Sequence, residues 1–407
     1  MRALFVNHVP PQAPTIGGRR VARLAEAVAG LGHRVVLLTE TADADAPATP
    51  VAGLAGVLDR HDWSRPFHIT VRPRPAPFLP GMRTGRVPAG PRQLMIAVSY
   101  LLNSGVFTDW TDAARAYVPV LRQEFRPQVV WACFGNTDAW NIGRMTAAAC
   151  RCPWVADFKD PWEGFIPRGF RTILAGRYRD AAAMTAFSEA HAARAAPWFR
   201  QPTTVVYSGL GAGLLDTPAG PPGEPPTLLV TGSVYGTERL RAFLDVLAGW
   251  LEGRGRRPFR FAYAGGDAEM VRQETTRLDG LAEVMVDGFL PFDELRRRQL
   301  AATANAYIRA PASRSIFHHK VVELLSAGRP VVCYPEDVPE AAAIAAATGA
   351  TLHSCRTGGD LEGALEQAFG DEPPAPPPAA AFRPYTWEAQ GAVLAELLQR
   401  VAAEGRP

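Results

Sequence analysis

The chain has 407 residues, 47% hydrophobic and 20% charged, a length beyond one ordinary core and a composition too apolar for wholesale disorder. The 43 Lys+Arg against 40 Asp+Glu leave a formal charge of +3, which excludes the concentrated basic footprint of a dedicated nucleic-acid binder. Five cysteines, Cys133, Cys150, Cys152, Cys333 and Cys355, contain no CxxC pair, which argues against a disulfide framework and a structural zinc site.

The opening MRALFVNHVPPQAP turns polar before an apolar stretch of signal-peptide length develops, and nothing later reaches the ~20 apolar residues of a spanning helix. A cytoplasmic protein is expected. Residues 2–7 (RALFVN) read as a buried strand, followed by Val21, Leu24, Ala25, Val28 and Leu31 at helical spacing and a stop at Gly32. Residues 34–39 (RVVLLT) form a second strand, so the chain opens with a strand, helix, strand unit whose crossover makes the strands parallel. From 41 to 90 the composition is Ala/Pro/Asp-rich and then Pro/Arg-rich, read as mobile surface loops with a single strand at 67–71.

A helix is predicted at 111–124, a strand at 128–134 (QVVWACF), a helix at 139–150, and strands at 154–158, 183–187 and 204–207. The Gly/Pro-dominated segment 208–226 separates a first domain, 1–207, from a second, 227–384. The second repeats the rhythm, with strands at 227–231, 259–264, 283–286, 306–308, 330–334 and 351–353. A Pro-rich tether then leads to a helix at 387–401, within a terminal segment 385–407. The fold class is α/β: two doubly wound, Rossmann-like domains facing a cleft.

Four constellations carry chemistry. Thr15-Ile16-Gly17-Gly18 stands between the first strand and its helix, where glycines admit a ligand and free N–H groups favour an anion; a structural turn explains the same residues. It is not a GxGxxG fingerprint, which disfavours dehydrogenase chemistry. Asp157-Phe158-Lys159-Asp160-Pro161-Trp162 follows a strand end, the place where open α/β sheets hold ligands, although Lys159 could simply pair with a carboxylate and Trp162 pack as core. Thr231-Gly232-Ser233 ends the first strand of the second domain and precedes Arg239 and Arg241, a pattern suited to a diphosphate or to a solvated helix face. In 318–330 (HHKVVELLSAGRP), Lys320 and Glu323 share one helical face, a cation for a diphosphate and a carboxylate for ribose hydroxyls; the bland alternative is an ordinary surface pair. His318 and His319 lack the spacing of a metal site.

Together these segments resemble the GT-B glycosyltransferases, most closely the retaining family four, over essentially the whole chain. GGRRVARLAEAVAGLGHRVVLLT looks like that family's opening and KVVELLSAGRPVV like its donor-site signature. The resemblance implies that Glu323 accepts hydrogen bonds from the nucleotide ribose, that Gly17 and Gly18 line the cleft near the donor phosphates, and that Arg239 holds a diphosphate oxygen. Gly288 and Phe289, in GFLPFDEL, match the segment that packs near the nucleotide base. Two positions depart from the family: Ser315 stands where a glutamate is common and Ser233 where a basic residue is common. The version Lys159-Asp160-Pro161-Trp162 resembles a subgroup with an Arg-Asp-Pro-Trp motif, so Asp160 and Lys159 are expected to face the sugar.

The implied reaction moves a sugar from a nucleotide-diphosphate sugar to a hydroxyl acceptor with retention, and requires no metal or cofactor. Arg239, Lys320 and the helix N-termini would stabilise the departing diphosphate, with Gly232 among the residues that bind the donor, and Asp160 could orient sugar hydroxyls or stabilise the sugar's charge. The acceptor, a saccharide, a lipid-linked sugar or a small metabolite, would contact the first domain; segment 94–110 is either a buried helix or a rest on a membrane. Rival readings are a nucleotide-sugar epimerase of the same fold and a non-catalytic binding protein.

Overall fold

The computed structural model describes residues 1–13, 16–43, 45–74, 76, 78–216, 220–234, 236–255, 257–309, 317–335, 339–370 and 374–405, with Ile16 by its backbone alone. The chain divides into two compact units, Met1–Gly209 with Trp387–Pro407, and Leu210–Thr386.

The first unit is built on a sheet of seven parallel strands, β1 (Arg2–Val6), β2 (Arg34–Glu40), β3 (Phe67–Val71), β4 (Val129–Cys133), β5 (Trp154–Phe158), β6 (Ala183–Ala186) and β7 (Thr203–Val205), in the order 3-2-1-4-5-6-7. Ala3 of β1 lies opposite Val35 on one side and Val129 on the other. Every residue of β4 and β5 is buried, because helices cover both faces, and this is why these strands read as unbroken apolar runs. Side chains alternate between two cores. Leu4, Val6, Val130 and Ala132 pack with Trp140, Trp154 and Trp162, whereas Ala3, Phe5, Val129 and Trp131 pack with Val21, Leu24, Leu394 and Leu398. The second set belongs to the helices Ile16–Gly30 and Trp387–Glu404, which lie against each other, with Gly391 meeting Ala27 so closely that an added Cβ would be 2.4 Å away.

The second unit has six parallel strands, β8 (Thr227–Thr231), β9 (Arg260–Ala264), β10 (Glu283–Asp287), β11 (Ala304–Ile308), β12 (Val331–Tyr334) and β13 (Leu352–Ser354), in the order 10-9-8-11-12-13. Helix Thr237–Gly253 covers one face with Leu240, Phe243, Leu244, Leu247 and Trp250, at the spacing of a single apolar stripe.

Several local expectations give way. Segment 41–90 is not all loop: helices Leu54–Asp59 and Leu79–Thr84 bury Leu54, Leu58 and Met82, too few apolar positions to announce a period. The helix expected over 111–124 is Thr108–Ala114 followed by tighter and wider turns through Phe125, because Pro119 supplies no N–H in mid-run. Leu31, placed on the buried stripe of the first helix, is 51% exposed, one residue past the helix end. The Pro-rich tether is partly ordered as a 3₁₀ stretch, Ala379–Tyr385, that buries Phe382. In segment 94–110, Ser99, Tyr100 and Trp110 are buried while Leu94 and Leu102 are exposed, so it is not a wholly buried helix: one face joins the core and another lies open. No helix among the described residues is long and apolar enough to cross a membrane.

Candidate functional site

In each sheet the chain runs outward to one side, returns, and runs outward to the other. The reversal falls between β1 and β4 in the first unit and between β8 and β11 in the second, and the carboxyl ends of such strand pairs leave a crevice for ligands.

The second crevice is the more fully furnished. β8 ends in Gly232, whose φ of 76° carries the backbone into the left-handed region. Across it lies Lys320, the first residue of helix Lys320–Leu325, with Nζ donating to the Thr231 carbonyl at 2.5 Å and sitting 5.7 Å from the Tyr307 ring centre. A Cβ at Gly232 would stand 2.5 Å from this ammonium, so any larger residue would evict it. Burial lowers the Lys320 pKa to about 8, against the partial support of Glu323 and Asp267. The same surroundings, with Lys320 and Arg309 adding repulsion, take His318 down to about 4.

A second glycine pair frames the crevice. Gly265 follows β9, and its Cβ would be 2.5 Å from the Gly232 carbonyl oxygen and from the Tyr263 hydroxyl. That hydroxyl donates to the Gly232 carbonyl at 2.8 Å and accepts from the Asp267 N–H at 3.0 Å, while Asp267 accepts from the Val234 N–H at 2.9 Å. The strand ends of β8 and β9 are thereby locked together. Arg239, on helix Thr237–Gly253, donates to the Arg309 carbonyl just beyond β11 at 2.6 Å.

Of the residues singled out by sequence, Gly232, Lys320 and Arg239 gather at the ends of β8 and β11. Glu323 follows Lys320 by one turn and is half-buried. Ser233 and Gly288 are exposed, and Phe289 is 84% exposed with its ring over Gly266, 3.0 Å from where a Cβ would be. Arg241 points away into an ion pair with Glu274. Ser315 and Thr15 lie outside the described residues.

The first unit holds the rest. Gly18 opens its helix so close to the preceding loop that a Cβ would stand 2.3 Å from the Pro10 carbonyl oxygen. A Cβ on Gly17 would be 3.5 Å from Lys159 Nζ, which pairs with Asp160. Trp162 is fully buried among Phe134, Trp140 and Phe199 and serves the core. Asp157 is likewise fully buried, held by both guanidinium nitrogens of Arg20 at 2.8 and 3.2 Å and by the Thr185 hydroxyl at 2.6 Å.

Sequence reasoning missed Arg20, the pair Gly265–Gly266, Tyr263 with Asp267, and a close contact between His8 Nε2 and the Glu40 carboxylate at 2.5 Å, just past β1 and at the end of β2. The His8 ring lies 4.3 Å from Phe107 and 5.1 Å from Trp110. A glycine pair after an apolar strand, AYAGGD, was a signal of the same kind as Gly17-Gly18. Nothing local marks Arg20 or Glu40, whose partners are distant in sequence. Among the described residues no three His, Cys, Asp or Glu side chains converge as metal ligands would.

No protein-family model matches the chain, and no curated protein matches it by sequence. Solved structures do. HepE from Anabaena, solved with UDP, aligns over 99% of this chain and 98% of its own at 14% identity and a TM-score of 0.56. A glycosyltransferase from Rickettsia africae aligns over 98% of both chains at 12% identity and a TM-score of 0.62. UDP-GlcNAc 2-epimerase from Methanocaldococcus jannaschii aligns over 98% of this chain and all of its own at 11% identity and a TM-score of 0.52. Likeness at such identities is one of architecture, and the chain accordingly has the two-domain α/β fold of the GT-B glycosyltransferases.

Proposed function

We propose that the protein transfers a sugar from a nucleotide-diphosphate donor to a hydroxyl acceptor, with the donor diphosphate at the ends of β8 and β11. The observation that carries this reading is the Lys320 ammonium held against the Gly232 lip. A cation with its pKa lowered by burial gains most from an incoming dianion, which restores the lost solvation with charge. Arg239 adds fixed donors, Glu323 supplies an acceptor for ribose hydroxyls one turn away, and Phe289 offers an exposed aromatic face for a base. Such preorganised charge stabilises the departing diphosphate without a step routed through a metal. The UDP in HepE supports the donor class. Asp160 and Lys159 are assigned to the sugar, and Gly17 and Gly18 to the phosphates. These assignments, retention and the family-four likeness rest on the sequence resemblance.

One observation favours a second stereochemical reading. His8 backed by Glu40 is the arrangement of a general base, which would deprotonate an acceptor hydroxyl for direct displacement with inversion. The epimerase likeness keeps reaction without an acceptor as a further alternative.

The test offers UDP-, GDP- and TDP-sugars with a panel of hydroxyl acceptors and reads the product by NMR. A retained anomeric configuration supports family-four chemistry; an inverted one lost in His8→Ala supports the base. Epimerised free donor, or unimpaired transfer by Lys320→Met and Glu323→Ala, would sink the proposal.

A further inference from the structure

The first unit carries a surface that neither its cores nor the donor chemistry uses. On helix Ala89–Asn103, Leu94, Val98, Leu101 and Leu102 are 67, 45, 51 and 71% exposed, a stripe at spacings of four, seven and eight residues. The stripe continues onto neighbouring segments. Arg177 donates to the Tyr100 and Leu101 carbonyls at 3.4 and 2.7 Å, and the Tyr100 hydroxyl to the Phe165 carbonyl at 3.4 Å, which brings Phe165 and Ile173, both nearly half exposed, alongside. These six are half of the twelve exposed large hydrophobics among the described residues.

Charge is concentrated in the same two segments. Residues 72–103 contain five arginines and residues 164–179 another four, with no Asp or Glu in either, in a chain whose whole net charge is +3. Arg86, Arg168 and Arg179 are exposed. Flanking acids are already engaged: Asp109 by Arg83, Glu163 by Arg194 and Asp180 by Arg144.

We propose that this face rests on an anionic lipid bilayer, with the leucines and Phe165 at the acyl boundary and the arginines on lipid phosphates. Apolar side chains rimmed by cations on one face of a helix too short and too polar to span a membrane fit an interfacial site. A second copy of the chain is disfavoured, since a twofold contact would set one arginine field against its own image. A polynucleotide would answer the arginines and leave the leucines in water. The inference does not depend on the donor chemistry.

Vesicle flotation of the full-length protein tests it. With phosphatidylcholine vesicles containing phosphatidylglycerol, partition is expected to exceed that on phosphatidylcholine alone by about tenfold or more and to fall with salt. The double variants L94Q/L102Q and R86Q/R168Q, all at exposed positions, are each expected to lower partition about tenfold while thermal midpoint and UDP binding stay unchanged. Equal partition on both vesicle types, none on either, wild-type partition by both variants, or self-association abolished by L94Q/L102Q would overturn it. UDP binding in the same samples separates this failure from failure of the donor site.

Discussion

In the proposed donor site, Lys320 would have to satisfy two demands that pull against each other. Unliganded, it is a half-buried ammonium whose pKa sits near 8, so the folded chain gives up a proton that the unfolded chain keeps to about 10.5. Between those values stability rises with pH, because the unfolded state binds more protons. Diphosphate binding works in the opposite sense, since it favours the charged form. Donor affinity should therefore be level below pH 8 and weaken about tenfold per unit above it, with proton uptake measurable by calorimetry in two buffers. Lys320→Met should abolish the pH dependence along with much of the affinity. A different cation, Arg20, is buried for good. Asp157→Ala should lower stability by about 3–5 kcal/mol in denaturant titration by stranding its guanidinium, and adding Arg20→Met should recover part of that loss. Legibility divides along the same line. Lys320 and Glu323 announced themselves by sharing a short motif, whereas Arg20 and Asp157 stand 137 residues apart and meet only in the fold.

Strands and the glycines at their ends position these groups. The parallel strands were legible because burial on both faces writes most of them as short, largely apolar runs, and they were located to within a residue or two. The short helices of 41–90 were not, since each contributes only one or two buried side chains to a core assembled elsewhere. Terminal glycines matter through what a methyl would strike. Gly18→Ala should displace the first turn of helix Ile16–Gly30 from the Pro10 carbonyl and cost about 1–3 kcal/mol of stability. At Gly232 the same change should be felt chiefly in binding: isothermal titration with UDP should show a large loss for Gly232→Ala, because the new Cβ competes with Lys320 Nζ for one position. Helix Gly358–Ala368 provides a control remote from this chemistry. Its capping box, Thr357 with Asp360, should be worth about 1 kcal/mol on Thr357→Ala, with donor binding unmoved.

The molecule as a whole is two sheets of one construction, and that repetition was readable from the alternation of strand and helix on either side of the Gly/Pro-rich segment. What the alternation could not convey was the charge map of the first unit, since nine arginines dispersed over two distant segments look unremarkable until helix Ala89–Asn103 and segment 164–179 are neighbours. Gly391→Leu should wedge the terminal helix from helix Ile16–Gly30 and lower the thermal midpoint of the first unit, readable as a separated transition in calorimetry. That terminal helix also sets an order of events in synthesis. The first unit is discontinuous, closed by Trp387–Pro407 after the whole of Leu210–Thr386 has been made. At about 5–20 residues per second, roughly ten to forty seconds separate the emergence of its sheet from that of the helix covering Val21, Leu24 and Trp131. During that interval an apolar face waits uncovered on the ribosome, and the half of the protein begun first is the half completed last.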